Sequence, residues 1–300
     1  MLNKFYIPDQ HRWDHHRHGW NFVVQELQKY SNRNGILLET TFDNKHTYDY
    51  QQYKNTLPIT QPWVGFLHLT PNKDLSIDFT ISEAFNHQRC KESLDNCLGL
   101  YTLSKYLKNH VDNFNLPFLV ENLYLPTDLN IHQFRPKEIQ NIIHLGHHKR
   151  KFESFARLQT SLNKITVVAH DRGWSLLKSR LNEKETIRHN LCIGISNQHL
   201  DELLISNVVF VDLFDSSANN TVVECIARNT PILINDHPAV KEYLGDDYPF
   251  YYSSLEEASF KLNAESINQA YEYLVNKDKN FLSIESFISD IQKSKIYQSL

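Results

Sequence analysis

The chain has 300 residues, 41% hydrophobic and 22% charged, with a formal net charge of −4. That balance describes a globular chain with material for about two domains of ~150 residues each, and it argues against a general nucleic-acid or membrane-surface field. Glycine is scarce, with Gly 8 in all, so a glycine-rich phosphate loop is excluded and any phosphate must be held by a helix N-terminus and cations.

The N-terminus, MLNKFYIPDQHRW, lacks a secretory apolar core, and no apolar run is long enough to span a bilayer. Cys90, Cys97, Cys192 and Cys225 are scattered without paired metal spacing. Three of them lie in apolar stretches, which suits buried thiols in a reducing compartment and a cytoplasmic location.

In chain order, Phe5–Ile7 reads as a short strand, followed by a polar loop over Pro8–His18. Gly19 leads into an amphipathic helix over Trp20–Tyr30. Ile36–Thr40 reads as a second strand, Asp43–Thr60 as polar loop with a short helix, and Trp63–Leu69 as a strong strand. A helix is expected from Ile81, a strand over Cys97–Leu103, a helix over Lys105–Val111 capped by Ser104, and a strand over Pro117–Val120 ending at Glu121-Asn122. Leu123–Lys137, with Pro126 and Pro136, reads as a linker.

The second half alternates more regularly. Strands are expected at Ile139–Leu145, Ile165–Ala169, Leu191–Ile193, Val208–Leu213 and Pro231–Ile234. Helices between them are expected at Phe152–Ser161, Trp174–Lys184, Gln198–Ser206 and Thr221–Arg228. Such alternation means right-handed crossovers and a parallel sheet. After Tyr252 the pattern turns helical: Leu255–Leu262, Ser266–Val275 and Ile284–Tyr297. The fold class is α/β, with two Rossmann-like domains, a cleft between them and a C-terminal helical tail. The domains are 1–125 and 139–280, with 281–300 as a helix able to pack back on the first.

Chemistry concentrates in VVFVDLFDSSANNTVVECIARNTPILIN, a strand, polar turn, helix and strand. The crevice beyond strand carboxyl ends is where open α/β sheets bind ligands, and a helix N-terminus there attracts a diphosphate. Ser217, Asn219, Asn220 and Thr221 offer donors at that helix start, or else simply cap it. Glu224 lies one turn in, and its plainer role is an exposed pair with Arg228 at i, i+4. Lys149, Arg150 and Lys151 follow a strand end at Gly146; Arg150 or Lys151 is the candidate diphosphate contact, the rest being solvated cap. Asp236 and His237 end the next strand, where a turn is the simpler account.

In the first half, His68 at a strand's carboxyl end is the candidate base, with Asp14 in the first loop as the other. Glu121 is a weaker candidate. Gly19 would admit a ligand close to the backbone. Asp14-His15-His16-Arg17-His18 invites a metal, but its spacing suits no helix-borne pair and arginine opposes a cation, so no metal is expected.

These stretches resemble the GT-B glycosyltransferases, nearest to glycosyltransferase family 4 in the second half. The likeness rests on the segment above, on HLDELLISNVVFVDL before it and on IIHLGHHKRK, and covers roughly Ile139–Tyr252. The first half is looser, through its strand–loop–Gly–helix start and CLGLYTLS. The resemblance implies a nucleotide-sugar donor, UDP- or GDP-linked, as substrate, with no separate cofactor, metal-independent transfer, and a glycan or other hydroxyl compound as acceptor, with no nucleic acid. It places Glu224 on the donor ribose and Arg150 or Lys151 on the diphosphate. The family's first glutamate falls on Ser216, with Asp215 one residue off register, and its Gly-x-Gly turn becomes Ser217-Ala218-Asn219. The departures keep open a non-catalytic nucleotide- or sugar-binding protein of the same fold, or a nucleotide-sugar epimerase.

Overall fold

The computed structural model describes residues 2–8, 17–75, 77–136, 139–186 and 190–300. They form two compact units. The first comprises Met1–Asp128 together with Asp215–Asn220 and Asn280–Leu300; the second comprises Leu129–Phe214 and Thr221–Lys279.

The first unit holds a parallel sheet of β1 (Phe5–Tyr6), β2 (Ile36–Glu39), β3 (Trp63–Leu67), β4 (Cys97–Thr102) and β5 (Leu119–Asn122), ordered in space as in sequence. All five β3 residues are buried, as a continuous apolar run in a central parallel strand should be. Trp20, from the helix Trp20–Gln28, packs edge-on against Phe66 with centroids 5.0 Å apart. Ser104 caps the helix Lys105–Asp112 by accepting from the Leu107 N–H at 3.2 Å.

Three expectations change here. The fifth strand is Leu119–Asn122 rather than Pro117–Val120, because those residues pair with Gly99–Thr102 of β4. Asp43–Thr60 forms two short helices, one starting at Phe42 (Phe42–Lys45) and the other Tyr50–Tyr53. The last helix breaks at Ser294 into Ile284–Lys293 and Lys295–Ser299. Ser294 caps the second piece through Tyr297 N–H, and Glu121 accepts from the N–H groups of Lys295 and Ile296 at 3.1 and 2.8 Å. Glu121 is thus spent on a helix N-terminus, which its charge suits.

The second unit holds β6 (Asn141–Leu145), β7 (Asn163–Val168), β8 (Asn190–Ile193), β9 (Val208–Val211), β10 (Ile232–Asn235) and β11 (Tyr251–Tyr252). All pairings are parallel, in the order β11-β10-β9-β6-β7-β8. The chain leaves β6 toward β7 on one side, and β9 returns on the other, so the topological switch point lies between β6 and β9. The helix expected from Trp174 spans Asp171–Lys178, because His170 Nδ1 accepts from the Gly173 N–H at 3.0 Å and starts it before the glycine. The helix expected over Phe152–Ser161 ends at Arg157. Pro238–Leu244 is a further helix, with His237 as its cap and proline in its first turn. Cys90, Cys97 and Cys225 are buried free thiols whose acidity burial suppresses, and Cys192 is half-buried. Among the described residues, no helix is long and apolar enough to cross a membrane.

Candidate functional site

At the switch point of the second unit, the loops after β6 and β9 are zipped together. Lys151 N–H donates to Asp212 O at 2.8 Å, Phe214 N–H to Lys149 O at 3.0 Å, and Arg150 bridges Leu213. Gly146 at φ +74° and Lys149 at φ +55° turn the first loop back toward the second. This closure carries Arg150 into the interior. Its Nε–H donates to Leu145 O at 3.4 Å and its Nη2–H to Thr221 Oγ1 at 3.5 Å. Burial pushes its guanidinium down to about 10, so it is charged at neutral pH in a poorly screened position.

Lys151 has the opposite fate. Its Nζ lies 3.6 Å from Asp212, whose carboxyl is pushed up by burial and drawn back by Ser154 and Lys151. The sequence offers Arg150 and Lys151 alike for the diphosphate; the structure joins Arg150 to Thr221 and gives Lys151 to Asp212.

The helix Asn220–Arg228 starts one residue earlier than expected. Glu224 is buried on it, with Arg228 Nη2 3.7 Å from its Oε2. The pair is the i, i+4 one that the spacing suggests, but Arg228 is fully buried rather than exposed.

In the first unit, the turn before that helix is buried through Asp215, Ser216, Ser217 and Asn219. Ser217 is 3% exposed, and its Oγ has no hydrogen-bond partner. Asn220 lies against Gly19: a Cβ on Gly19 would come within 1.8 Å of Asn220 Oδ1. Gly19 and Asn220, both singled out in the sequence, therefore meet, and a side chain at Gly19 would have to displace the end of the Asn220 side chain. Asp215 accepts from Asn72 N–H at 2.7 Å and Ser216 N–H at 2.8 Å, and it raises the Tyr106 hydroxyl's pKa in addition to the larger effect of burial. It is an anchor for the Pro71-Asn72 loop, a role that no local pattern signals.

His68 follows β3 and is half-buried, edge-on to Trp20 at 4.5 Å. Its Nε2 lies 2.8 Å from Thr40 O, so Nε2 carries the proton that it donates there. Burial pushes the ring's pKa down, against the pull of Asp43, which keeps the ring neutral with its lone pair on Nδ1. Asp43 is fully buried and accepts from the N–H groups of His68 (2.7 Å), Leu69 (2.6 Å) and Asn44 (3.0 Å). Burial nonetheless pushes its carboxyl up. The sequence reading passes over Asp43; its one signal is a carboxylate at the start of a helix directly after a strand. Asp14, with the rest of His15 and His16, lies outside the described residues. Asp236 pairs with Lys241 at 3.0 Å, and His237 caps its helix through Ala239 N–H at 3.2 Å.

No protein-family model and no curated protein matches the chain. Solved structures do match it. Sucrose-phosphate synthase from Thermosynechococcus elongatus superposes with a TM-score of 0.63 at 10% identity, over 93% of this chain and 77% of that one. TarM superposes with a TM-score of 0.60 at 11% identity, over 90% of this chain. HepE from Anabaena, solved in complex with UDP and glucose, gives 0.60 at 10% identity, over 80% of this chain and 72% of that one. The fold is of the GT-B type. The chain spans 57% of the length of TarM.

Proposed function

We propose that the chain is a glycosyltransferase, moving a sugar from a UDP- or GDP-linked donor to a glycan or other hydroxyl acceptor, with family 4 as its nearest kin. The observation that carries this reading is the buried Arg150 guanidinium joined to Thr221 at the start of the helix Asn220–Arg228, with Glu224 one turn further on. A departing nucleoside diphosphate gains negative charge as the sugar acquires oxocarbenium character. A fixed cation and N–H groups at a helix start stabilise that charge without reorganising. Arg150, Thr221 and the donors of Ser217, Asn219 and Asn220 take the diphosphate. Glu224 accepts from the ribose hydroxyls, and Gly19 leaves room for the Asn220 side chain, one of these donors, where the sequence suggested room for a ligand. These groups supply the charge stabilisation without a metal or a separate cofactor.

His68 is the candidate base on the acceptor hydroxyl, its Nδ1 lone pair fixed by the Nε2–H bond to Thr40 O. Asp14 is the second candidate. A reducing, cytoplasmic setting fits the buried free thiols.

The test is a panel of UDP-, GDP- and ADP-sugars, read as release of nucleoside diphosphate with and without sugar acceptors. Turnover that falls at least about a hundredfold in Arg150→Met supports the reading. Tight nucleotide binding with no turnover under any acceptor would instead identify a binding protein, consistent with Ser216 at the family's first glutamate. No thermal shift with any nucleotide sinks both.

A further inference from the structure

The charge pair at the switch point is divided by depth. Asp212, directly after β9, is 7% exposed, while the Lys151 side chain beside it is 41% exposed. Their backbones are fixed. Lys151 N–H donates to Asp212 O at 2.8 Å, and the next residue, Leu213, exchanges hydrogen bonds of 2.7 and 3.0 Å with the Asn235 side chain. The side chains are joined less firmly. Lys151 Nζ stays 3.6 Å from Asp212 Oδ1, an ion pair beyond ordinary hydrogen-bond length. An ammonium on a flexible stem can be drawn off by a stronger anion. The short carboxylate side chain on a fixed strand end cannot follow it.

Asp212 depends on that ammonium. Burial pushes its carboxyl up, and Ser154 and Lys151 draw it back. Of the charged groups acting on it, Lys151 favours the ionised form and Glu153, itself paired with Arg180 at 2.7 Å, opposes it. The Tyr252 hydroxyl faces it from β11, donating to Val211 O at 3.1 Å, and Asp212 suppresses its acidity in addition to the larger effect of burial. Arg150, joined to Thr221, is the chain neighbour of Lys151, so a diphosphate held there competes with Asp212 for the same ammonium. A buried carboxylate that loses its cation beside an arriving anion is neutralised by a proton from solvent.

We propose that Lys151 and Asp212 form a latch on the donor site: a diphosphate draws the Lys151 ammonium away, and the buried carboxylate takes a proton in exchange, so that donor binding is coupled to proton uptake. The inference rests on the reading of Arg150 and Thr221 as the diphosphate position.

The experiment is calorimetric titration of the full chain with UDP and with GDP, in two buffers of different ionisation enthalpy. The buffer dependence of the heat gives the protons bound per nucleotide, and comparing variants cancels the titration of the nucleotide itself. Wild type should take up more protons than Asp212→Asn, and its affinity should gain about threefold more than the variant's between about pH 8 and pH 6.5. Asp212→Asn no longer contests the ammonium and should bind about threefold more tightly than wild type at about pH 8. Lys151→Met should also lose the extra proton uptake, and adding Asp212→Asn to it should change affinity no further. Proton uptake in Asp212→Asn equal to that of wild type overturns the proposal. So does a gain from Asp212→Asn that persists alongside Lys151→Met, which would make the aspartate a plain repulsive charge. Should Asp212→Asn fail to fold, Lys151→Met decides, since its side chain is exposed: wild-type proton uptake in that variant overturns the proposal. Each of these outcomes leaves the donor reading standing. Wild-type protein that binds neither nucleotide overturns the proposal together with the reading beneath it.

Discussion

Two buried aspartates in the first unit, Asp43 and Asp215, do the same chemical work at different range. Each holds backbone N–H groups at a loop that follows a strand. Asp43 sits in the connection after β2 and fastens the residues directly after β3, including candidate base His68. Asp215 follows β9 in the sequence and fastens Asn72, 143 residues away. The first is a local device between neighbouring strands. The second exists only once distant parts of the chain have met, so its energy is cooperative with the fold in a way that the first is not.

Truncation should break this comparison most sharply. Asp43→Ala orphans three buried backbone N–H groups and should cost about 4 kcal/mol, whereas Asp215→Ala orphans two and should cost about 2 kcal/mol. Urea midpoints measure both. Equal losses would show that the local device is no stronger.

Acid should act on the Asp43 side. The His46 ring lies edge-on to Phe42 with centroids 4.6 Å apart, and burial pushes its pKa down to about 4. Unfolded, the ring titrates near about 6.5. Between those values the unfolded chain holds the proton and the native one does not. Stability is therefore full above that range and falls by about 2 kcal/mol from pH 7 to pH 5. His46→Gln should flatten this slope in chemical denaturation; an unchanged slope would assign the titration elsewhere.

The smallest effect sharpens the Asp215 side. Gly19→Ala sets a methyl group against Asn220 Oδ1 and should cost about 1 kcal/mol. Truncating the obstacle as well, in Gly19→Ala with Asn220→Ala, should recover most of the loss, since residues in contact couple by about that much. Additive losses would mean that the contact does not matter.

The same contrast explains what is legible in the sequence. The strands β3 and β9 are continuous apolar runs, and the caps Ser104 and His237 lie where helices start, although only Ser104 is of a familiar capping type. The parallel two-sheet fold follows from that alternation. β11 is two residues long, too short to carry a pattern. Glu224 and Arg228 show their spacing in the sequence but not their depth, because a helix period fixes a face and not what covers it. Arg150 and Lys151 are indistinguishable as letters; the positive φ at Lys149 and the bridge to Leu213 decide which of them is buried. The anchoring roles of Asp43 and Asp215 are not legible because their partners are backbone groups of other loops, which no residue type announces.

Glu121 holding the start of Lys295–Ser299 has a consequence for synthesis on the ribosome. The first unit is assembled from sequence on both sides of the second, and the stacking of Phe66 on Phe287, with centroids 6.0 Å apart, is available only after the whole second unit has been translated. The half made first is thus completed last. Until then, the apolar face of its sheet that Phe287 and Ile296 cover stands open to chaperones.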